Sequence, residues 1–156
     1  MLSREQNDLI TRVGPDRPAG KLLRQYWQPV ALLDELDAMA KPVKAVRLMG
    51  QDLVLFRDEQ GRLGLLDRDC PHRGADLAFG RLEGGGLRCL FHGWVFDVNG
   101  KCLDTPAEPE GSRLCDRVKQ GAYPVTVRGG IVWAYLGEGA PPAFPDFDCF
   151  TAPDTH

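Results

Sequence analysis

The chain has 156 residues, of which 43% are hydrophobic and 26% are charged, and its formal net charge is −3. That length suits one globular domain with a substantial core, and the composition is that of an ordinary folded protein. The sequence lacks a basic, aromatic-rich stripe for binding nucleic acid, an apolar run of roughly 20 residues for a membrane helix, and the apolar core of a signal peptide. We therefore expect a cytoplasmic protein, whose five cysteines serve as ligands or buried thiols.

Two short helices are predicted at the start of the chain. The first runs from Ser3, its N-cap, to Val13, just before a stop at Gly14. The second covers 19–26 and must end before Pro29, because proline disfavours helix in the residue ahead of it. Short apolar runs separated by turn residues then predict antiparallel strands. The runs are 43–49, 53–56, 63–66, 87–90, 94–98, 123–128 and 131–136.

Glycine-containing pairs predict tight turns between some of these strands. Asn99-Gly100 and Gly129-Gly130 both supply the positive φ values that a two-residue hairpin needs. Together with the short apolar runs they indicate an all-β domain with a small helical start, over residues 1–137. Residues 138–156 are rich in proline and phenylalanine, and two interpretations stay open for them. They form either a tail that packs back on the domain or a linker toward another domain.

Two segments stand out because each holds a cysteine followed, two or three positions later, by a histidine. They are Cys70-Pro-His-Arg-Gly74 and Cys89-Leu-Phe-His-Gly-Trp94, with 16 residues between the first histidine and the second cysteine. Each lies beside a predicted strand, so a sheet can hold the two loops tip to tip. Two thiolates on one iron and two imidazoles on the other make a Rieske [2Fe–2S] cluster. The predicted ligands are Cys70, His72, Cys89 and His92.

A zinc site is the chemical alternative, because zinc also binds two cysteines and two histidines. Zinc fingers, however, pair cysteine with cysteine along the sequence, whereas each loop here mixes the two residue types. The other cysteines, Cys102, Cys115 and Cys149, have no ligand pattern and are interpreted as structural thiols. Trp94 is interpreted as a partial shield of the cluster. Pro106 belongs either to a third loop over the cluster or to an ordinary surface turn.

Glycine, aspartate and arginine residues lie next to the predicted ligands in the sequence. Gly74 and Gly93 are expected to let backbone N–H groups approach the cluster sulfurs. Asp67 and Asp69, just ahead of the first loop, are expected to form a turn. Arg73 is interpreted as a solvated charge.

The two cluster loops resemble those of the N-terminal Rieske domain of aromatic-ring-hydroxylating oxygenase α subunits. The resemblance extends to 18–30, 104–109 and 122–125, which are similar to the phthalate-dioxygenase-like members. It implies a Rieske fold of three stacked antiparallel sheets, with short N-terminal helices and a cluster-binding subdomain that carries the cluster at one tip. It also implies that Cys70 and Cys89 bind one iron, while His72 and His92 bind the other.

Electron transfer is the function that this resemblance implies. The domain would accept single electrons from a flavin/iron–sulfur reductase and pass them to a mononuclear iron. That iron would lie in the catalytic domain of the same or a neighbouring subunit of a homotrimer, which hydroxylates or demethylates an aromatic substrate with O₂. The only histidine outside the loops is His156, so the chain by itself is predicted not to be catalytic. The alternative function is that of a stand-alone Rieske ferredoxin, an electron carrier.

Overall fold

Short strands dominate residues 1–150, the part of the chain that the structure, a computed structural model, describes. His156 and the last residues of the proline-rich tail lie outside the described residues. The helices are α1 (Arg4–Thr11), α2 (Pro18–Leu23) and α3 (Leu33–Asp37). The strands are β1 (Gln28–Leu32), β2 (Val43–Leu48), β3 (Gln51–Arg57), β4 (Leu63–Asp67), β5 (Arg81–Glu83), β6 (Gly86–Arg88), β7 (Val95–Phe96), β8 (Cys102–Asp104), β9 (Ala122–Tyr123), β10 (Val125–Arg128) and β11 (Ile131–Ala134).

These strands form three antiparallel sheets, as the resemblance implies. The outer sheet has the order β1-β11-β10, the central sheet β2-β3-β4-β9 and the loop-bearing sheet β5-β6-β7-β8. Strands that follow each other in sequence pair as neighbours in the central sheet from β2 to β4, and all through the loop-bearing sheet. The loop-bearing sheet carries the second ligand loop between β6 and β7.

The central sheet is covered on both faces, and β3 shows this most clearly. Successive side chains of a strand point to opposite faces. Accordingly Val54 and Phe56 belong to one core, toward the loop-bearing sheet, while Leu53 and Leu55 belong to a second core, toward the outer sheet. All four are fully buried. A strand with two buried faces has no polar positions to alternate with apolar ones, which explains its continuous apolar run.

The two predicted helices exist but are shorter than the sequence pattern indicates. Ser3 is the N-cap, as predicted: its Oγ accepts from the Gln6 N–H at 3.2 Å, and the Gln6 side chain accepts from the Ser3 N–H at 2.9 Å. α1 ends at Thr11, before the predicted stop at Gly14. α2 also ends early, because the chain turns and pairs with β11 from Gln28 onward as β1.

Prolines explain two differences between the predicted and observed strands. The predicted strand 123–128 is divided at Pro124, which has no N–H to donate. Residues before it join the central sheet as β9, and residues after it join the outer sheet as β10. β1 was not predicted because it contains Pro29, which is tolerated here since β1 lies at the edge of its sheet. The Gly129-Gly130 hairpin is confirmed, with Arg128 opposite Ile131.

The described part of the proline-rich tail lies against the outer sheet. The indole N–H of Trp27 donates to the carbonyl of Pro142 at 2.9 Å. The ring of Phe144 packs between Trp27 and Trp133, with centroid distances of 5.9 and 5.2 Å. Within residues 1–150, none of the helices has the length and apolar character needed to cross a membrane.

Candidate metal centre

The two predicted ligand loops have the same backbone hydrogen-bond pattern. In each, the cysteine N–H donates to the carbonyl five positions later, and a glycine N–H four positions later donates back to the cysteine carbonyl. The four bonds are Cys70 to Ala75 (2.9 Å), Gly74 to Cys70 (2.8 Å), Cys89 to Trp94 (2.8 Å) and Gly93 to Cys89 (3.0 Å). The two loops are thus built alike although their histidines occupy different positions.

The glycines close these loops. Gly74 and Gly93 have φ values of +68° and +76°, a left-handed conformation that side chains with a Cβ rarely adopt. Their own N–H groups donate to the cysteine carbonyls and close the loops. The N–H groups that approach a ligand sulfur are instead those of His72 and Arg73, which donate to the thiol of Cys70.

The two cysteine side chains belong to the same core. Cys70 and Cys89 are both buried, and their thiols are close enough to affect the ionisation of Cys70. Burial, together with the neighbouring Cys89 thiol, raises the pKa of Cys70 to about 11, against the opposing effect of the N–H donors. Two adjacent buried thiolates are costly in free energy unless a cation offsets their charge. Iron would supply that positive charge.

The two histidine rings also lie next to each other. The ring centroids of His72 and His92 are 4.4 Å apart, and both side chains are half-buried. Desolvation, followed by the neighbouring His72 and Arg73, lowers the pKa of His92. The Nδ1 atom of His72 is buried and has no hydrogen-bond partner. A buried ring nitrogen without a partner is the atom that a metal ion would satisfy.

The residues fit a two-iron cluster better than a single ion. Within residues 1–150, no three His, Cys, Asp or Glu side chains gather closely enough to hold one metal ion. The side chains form instead a thiol pair and an imidazole pair. A zinc site needs all four ligands about 2.0–2.3 Å from one atom. A Rieske cluster needs two thiolates on one iron and two imidazoles on the other, and its donor set is the one present.

Aromatic rings surround the imidazole pair. The indole of Trp94 stacks on His72, with 4.5 Å between centroids and 6° between planes, and only 8% of Trp94 is exposed. This is the position that its interpretation as a shield requires. Phe91 lies beside His92, at a centroid distance of 4.1 Å, and is itself exposed. Arg73 is exposed, in agreement with its interpretation as a solvated charge.

The segment that leads into the first loop is held by polar contacts that the sequence did not predict. The buried amide of Gln120 donates to the carbonyl oxygens of Asp67 and Asp69, at 2.6 and 2.8 Å. The expected turn at Asp67 is wrong, because Asp67 ends β4 and its carboxylate accepts from Gln51 at 2.7 Å. Gln51 lies 16 residues away in sequence, so no local pattern indicates this contact.

Ion pairs fasten both loops to their neighbouring strands. Arg68 pairs with Asp76 across the base of the first loop. Arg88, directly before the second cysteine, donates to the carbonyl of Gly93 and pairs with Asp104 at 3.0 Å. Pro106 lies against the second loop, since a Cβ placed on Gly93 would be 3.1 Å from the Pro106 ring. Pro106 is exposed and lies in a turn closed by the Glu108 N–H and the Thr105 carbonyl at 3.0 Å, and this turn packs on the second ligand loop.

The protein has three stacked antiparallel sheets and two Cys/His loops that share one hydrogen-bond pattern. These features define a small iron–sulfur domain of the Rieske class. The comparison with known families agrees: the chain belongs to the Rieske [2Fe-2S] domain family, which matches residues 26–124. A Rieske [2Fe–2S] cluster is accordingly the cofactor of this domain.

Several curated relatives are oxygenase subunits. The chain is 50% identical to the 5,5'-dehydrodivanillate O-demethylase oxygenase subunit of Sphingobium sp. over 97% of its length, covering 36% of that protein. It is 47% identical to the phthalate 4,5-dioxygenase oxygenase subunit of Pseudomonas putida over 92% of its length, covering 34% of that protein. The chain thus spans about a third of the length of these relatives.

A solved structure shows the same fold. The crystal structure of dicamba monooxygenase with non-heme iron and dicamba superposes with a TM-score of 0.72 at 31% sequence identity. The match covers 85% of this chain and 40% of that chain. The Rieske fold expected from the resemblance is therefore confirmed.

Proposed function

We propose that Cys70, His72, Cys89 and His92 hold the Rieske cluster and that the domain relays single electrons within an oxygenase. The observation that carries this proposal is the sorting of the four side chains into a thiol pair and an imidazole pair. The buried, unpartnered Nδ1 of His72 supports it further. When bound, the cluster supplies a one-electron carrier whose two imidazoles leave it less negative than four thiolates would.

The residues around the cluster have separate tasks in this proposal. Cys70 and Cys89 lie on the buried side, where they anchor the cluster to the core between the sheets. Backbone N–H groups of His72 and Arg73 stabilise negative charge on the Cys70 sulfur. Trp94 covers one face of His72 and keeps water from it. The histidines, being less buried than the cysteines, form the side through which electrons enter and leave.

An apolar rim around the histidines suits a protein partner. Leu90 and Phe91 are more than half exposed, at 55% and 61%, and flank the second ligand loop next to His92. Exposed apolar residues next to a redox centre are typical of docking surfaces for other proteins. We propose that a flavin/iron–sulfur reductase and a catalytic domain with mononuclear iron use this side.

The size of the relatives supports an oxygenase and not a free carrier. They are about three times as long as this chain, and they are named as oxygenase subunits. We propose that residues 1–137 are the electron-transfer domain and that 138–156 lead toward a catalytic domain of an oxidoreductase. That enzyme would act in the cytoplasm as a homotrimer, hydroxylating or demethylating an aromatic substrate.

Iron, sulfide and spectroscopy test the ligand assignment. We expect two irons and two sulfides per chain, a red-brown colour, and an S = 1/2 EPR signal after dithionite reduction. Pulsed EPR should show two strongly coupled ligand nitrogens, and the variant His92→Cys should lose one of them. In that variant the reduction potential should also fall, because a thiolate replaces a neutral imidazole.

Cys149→Ser is the matched control, since Cys149 is exposed and far from the loops in sequence. It should keep the cluster and both nitrogen couplings. Colourless protein with bound zinc, or a cluster without nitrogen couplings, would contradict the ligand assignment. For the oxygenase, the check is the gene beyond His156: an immediate stop codon in the natural gene would favour the stand-alone ferredoxin.

A further inference from the structure

Cys102 and Cys115 lie side by side in the part of the molecule that carries the ligand loops. Their Sγ atoms are 3.1 Å apart, and both are free thiols. Cys102 begins β8 and is buried, whereas Cys115 lies in the segment after β8 and is half-buried. The interpretation of both as unconnected structural thiols missed this pair, because twelve intervening residues hide it in the sequence.

We propose that Cys102 and Cys115 form a reversible disulfide. A disulfide bond is about 2.05 Å long, so the two sulfur atoms need to approach each other by only about 1 Å. The other contacts of these sulfurs are weak: Cys102 to the carbonyl of Asp104 at 3.7 Å, and Cys115 to the hydroxyl of Thr105 at 3.6 Å. Neither contact holds the thiols apart.

The disulfide would close residues 103–114 into a loop that lies on the second ligand loop. Asp104 pairs with Arg88, which also donates to the carbonyl of Gly93. Pro106 packs against Gly93 directly. The thiol pair is therefore connected, through three neighbouring residues, to the backbone next to His92. Oxidation would tether the segment that covers this loop, and reduction would release it.

The oxidant we propose is a low-molecular-weight disulfide such as glutathione disulfide. The more exposed Cys115 attacks one glutathione sulfur as a thiolate, forms a mixed disulfide and expels the first glutathione. Burial and the neighbouring Cys115 raise the pKa of Cys102 to about 12, so Cys102 keeps its proton during this step. Cys102 then releases its proton to solvent, attacks the Cys115 sulfur as a thiolate and expels the second glutathione, which takes up a proton. Two protein thiols lose two electrons and two protons, and one glutathione disulfide becomes two glutathione thiols.

Peptide mapping of the cluster-loaded protein tests the proposal. The protein is equilibrated with increasing ratios of oxidised to reduced glutathione, quenched with acid, alkylated with N-ethylmaleimide and digested with trypsin. Trypsin cuts after Lys101, Arg113 and Arg117, so the two cysteines fall in separate peptides, 102–113 and 114–117. We expect these peptides to appear joined, two hydrogens lighter than their sum, and to separate again with dithiothreitol.

Variants make the result specific. Cys149→Ser should leave the joined peptide unchanged, whereas Cys115→Ser should abolish it and leave Cys102 open to alkylation after unfolding. Full alkylation of both cysteines at every glutathione ratio would overturn the proposal, as would glutathione bound to Cys115 without a joined peptide. Mapping the wild-type protein decides the question even if a variant fails to fold. The visible spectrum of the cluster, recorded in parallel, shows that Cys70 and Cys89 are not the source of any disulfide.

Discussion

At the scale of single residues, Gln120 connects the central sheet to the first ligand loop. Its side chain is only 3% exposed, and its amide nitrogen donates to two carbonyl oxygens of the segment that leads into Cys70. Buried carbonyls that lose their donor destabilise the folded state. Gln120 therefore acts on Cys70 through the backbone ahead of it and is a positioning residue.

Replacing this amide by an apolar side chain should loosen the loop. We expect Gln120→Leu to lower the free energy of unfolding by about 1–3 kcal/mol, because the two carbonyl oxygens lose a donor in partly buried hydrogen bonds. The reduction potential should shift as well, since the Cys70 sulfur is held less firmly against its N–H donors. Urea unfolding and voltammetry measure the two effects.

The control is Gln60→Leu, which changes an exposed glutamine whose side chain accepts from Arg62 at 3.3 Å. It should leave both quantities nearly unchanged. A loss of stability in Gln120→Leu with an unaltered potential would mean that Gln120 supports the fold but does not position Cys70.

The buried thiol of Cys102 permits a prediction about pH. Its pKa is raised to about 12, first by burial and then by Cys115, so its thiolate fraction should rise tenfold per pH unit throughout the range from 7 to 10. The rate of its alkylation by iodoacetamide should rise in the same proportion, because only the thiolate reacts. Mass spectrometry of peptide 102–113 follows the reaction, and a plateau near pH 9 would contradict the raised pKa.

At the scale of elements, the ligand loops show how far local patterns reach. The Cys-x-His and Cys-x-x-His spacings and the following glycines could be recognised in the sequence, because each motif fits within six residues. The positive φ of Gly74 and Gly93 follows from the same short range. In contrast, β5 and β8 have three residues each, too few to show a period, and they were not predicted.

The closing glycine of the first loop can be tested by two substitutions at one position. Gly74 has a φ of +68° and open space around it, so a new side chain meets no atom and only the backbone is strained. We expect Gly74→Val to cost about 1–2 kcal/mol or more, as a β-branched residue in the left-handed region, and to lower cluster occupancy. Gly74→Asn should cost less, because asparagine tolerates this region.

Iron content per chain and urea unfolding compare the two variants under identical conditions. Equal losses in both variants would show that the position needs the absence of a side chain, not the left-handed backbone. That outcome would conflict with the open space around Gly74.

At the scale of the whole molecule, the two cores differ in whether they contain the predicted ligands. The core between the central and loop-bearing sheets includes Cys70, Cys89 and Trp94, so under the proposed ligand assignment its stability depends on the bound cluster. The core between the central and outer sheets includes Leu36, Val132 and other aliphatic residues, and contains none of the predicted ligands. The two halves should therefore respond differently to loss of iron.

Removal of iron by a chelator should loosen one half of the protein. We expect amide hydrogen exchange to accelerate in 68–118, where strands have two or three residues and two buried thiols are left without their metal. Exchange in β1, β10 and β11 should change little and serves as the internal control. A uniform acceleration along the chain would show that the two cores unfold together, contrary to this division.

The sequence by itself determined the class of fold and the nature of the cofactor, and it predicted the two ligand loops. These depend on local spacing, turn glycines and the chemistry of thiolates and imidazoles, all of which act over a few residues. Only the tertiary structure decided that Gln120 holds the carbonyls before Cys70, that Cys102 meets Cys115, and that Pro106 covers Gly93. Such contacts arise when sheets stack and bring distant segments together, and their partners are set by packing geometry, which no local pattern encodes.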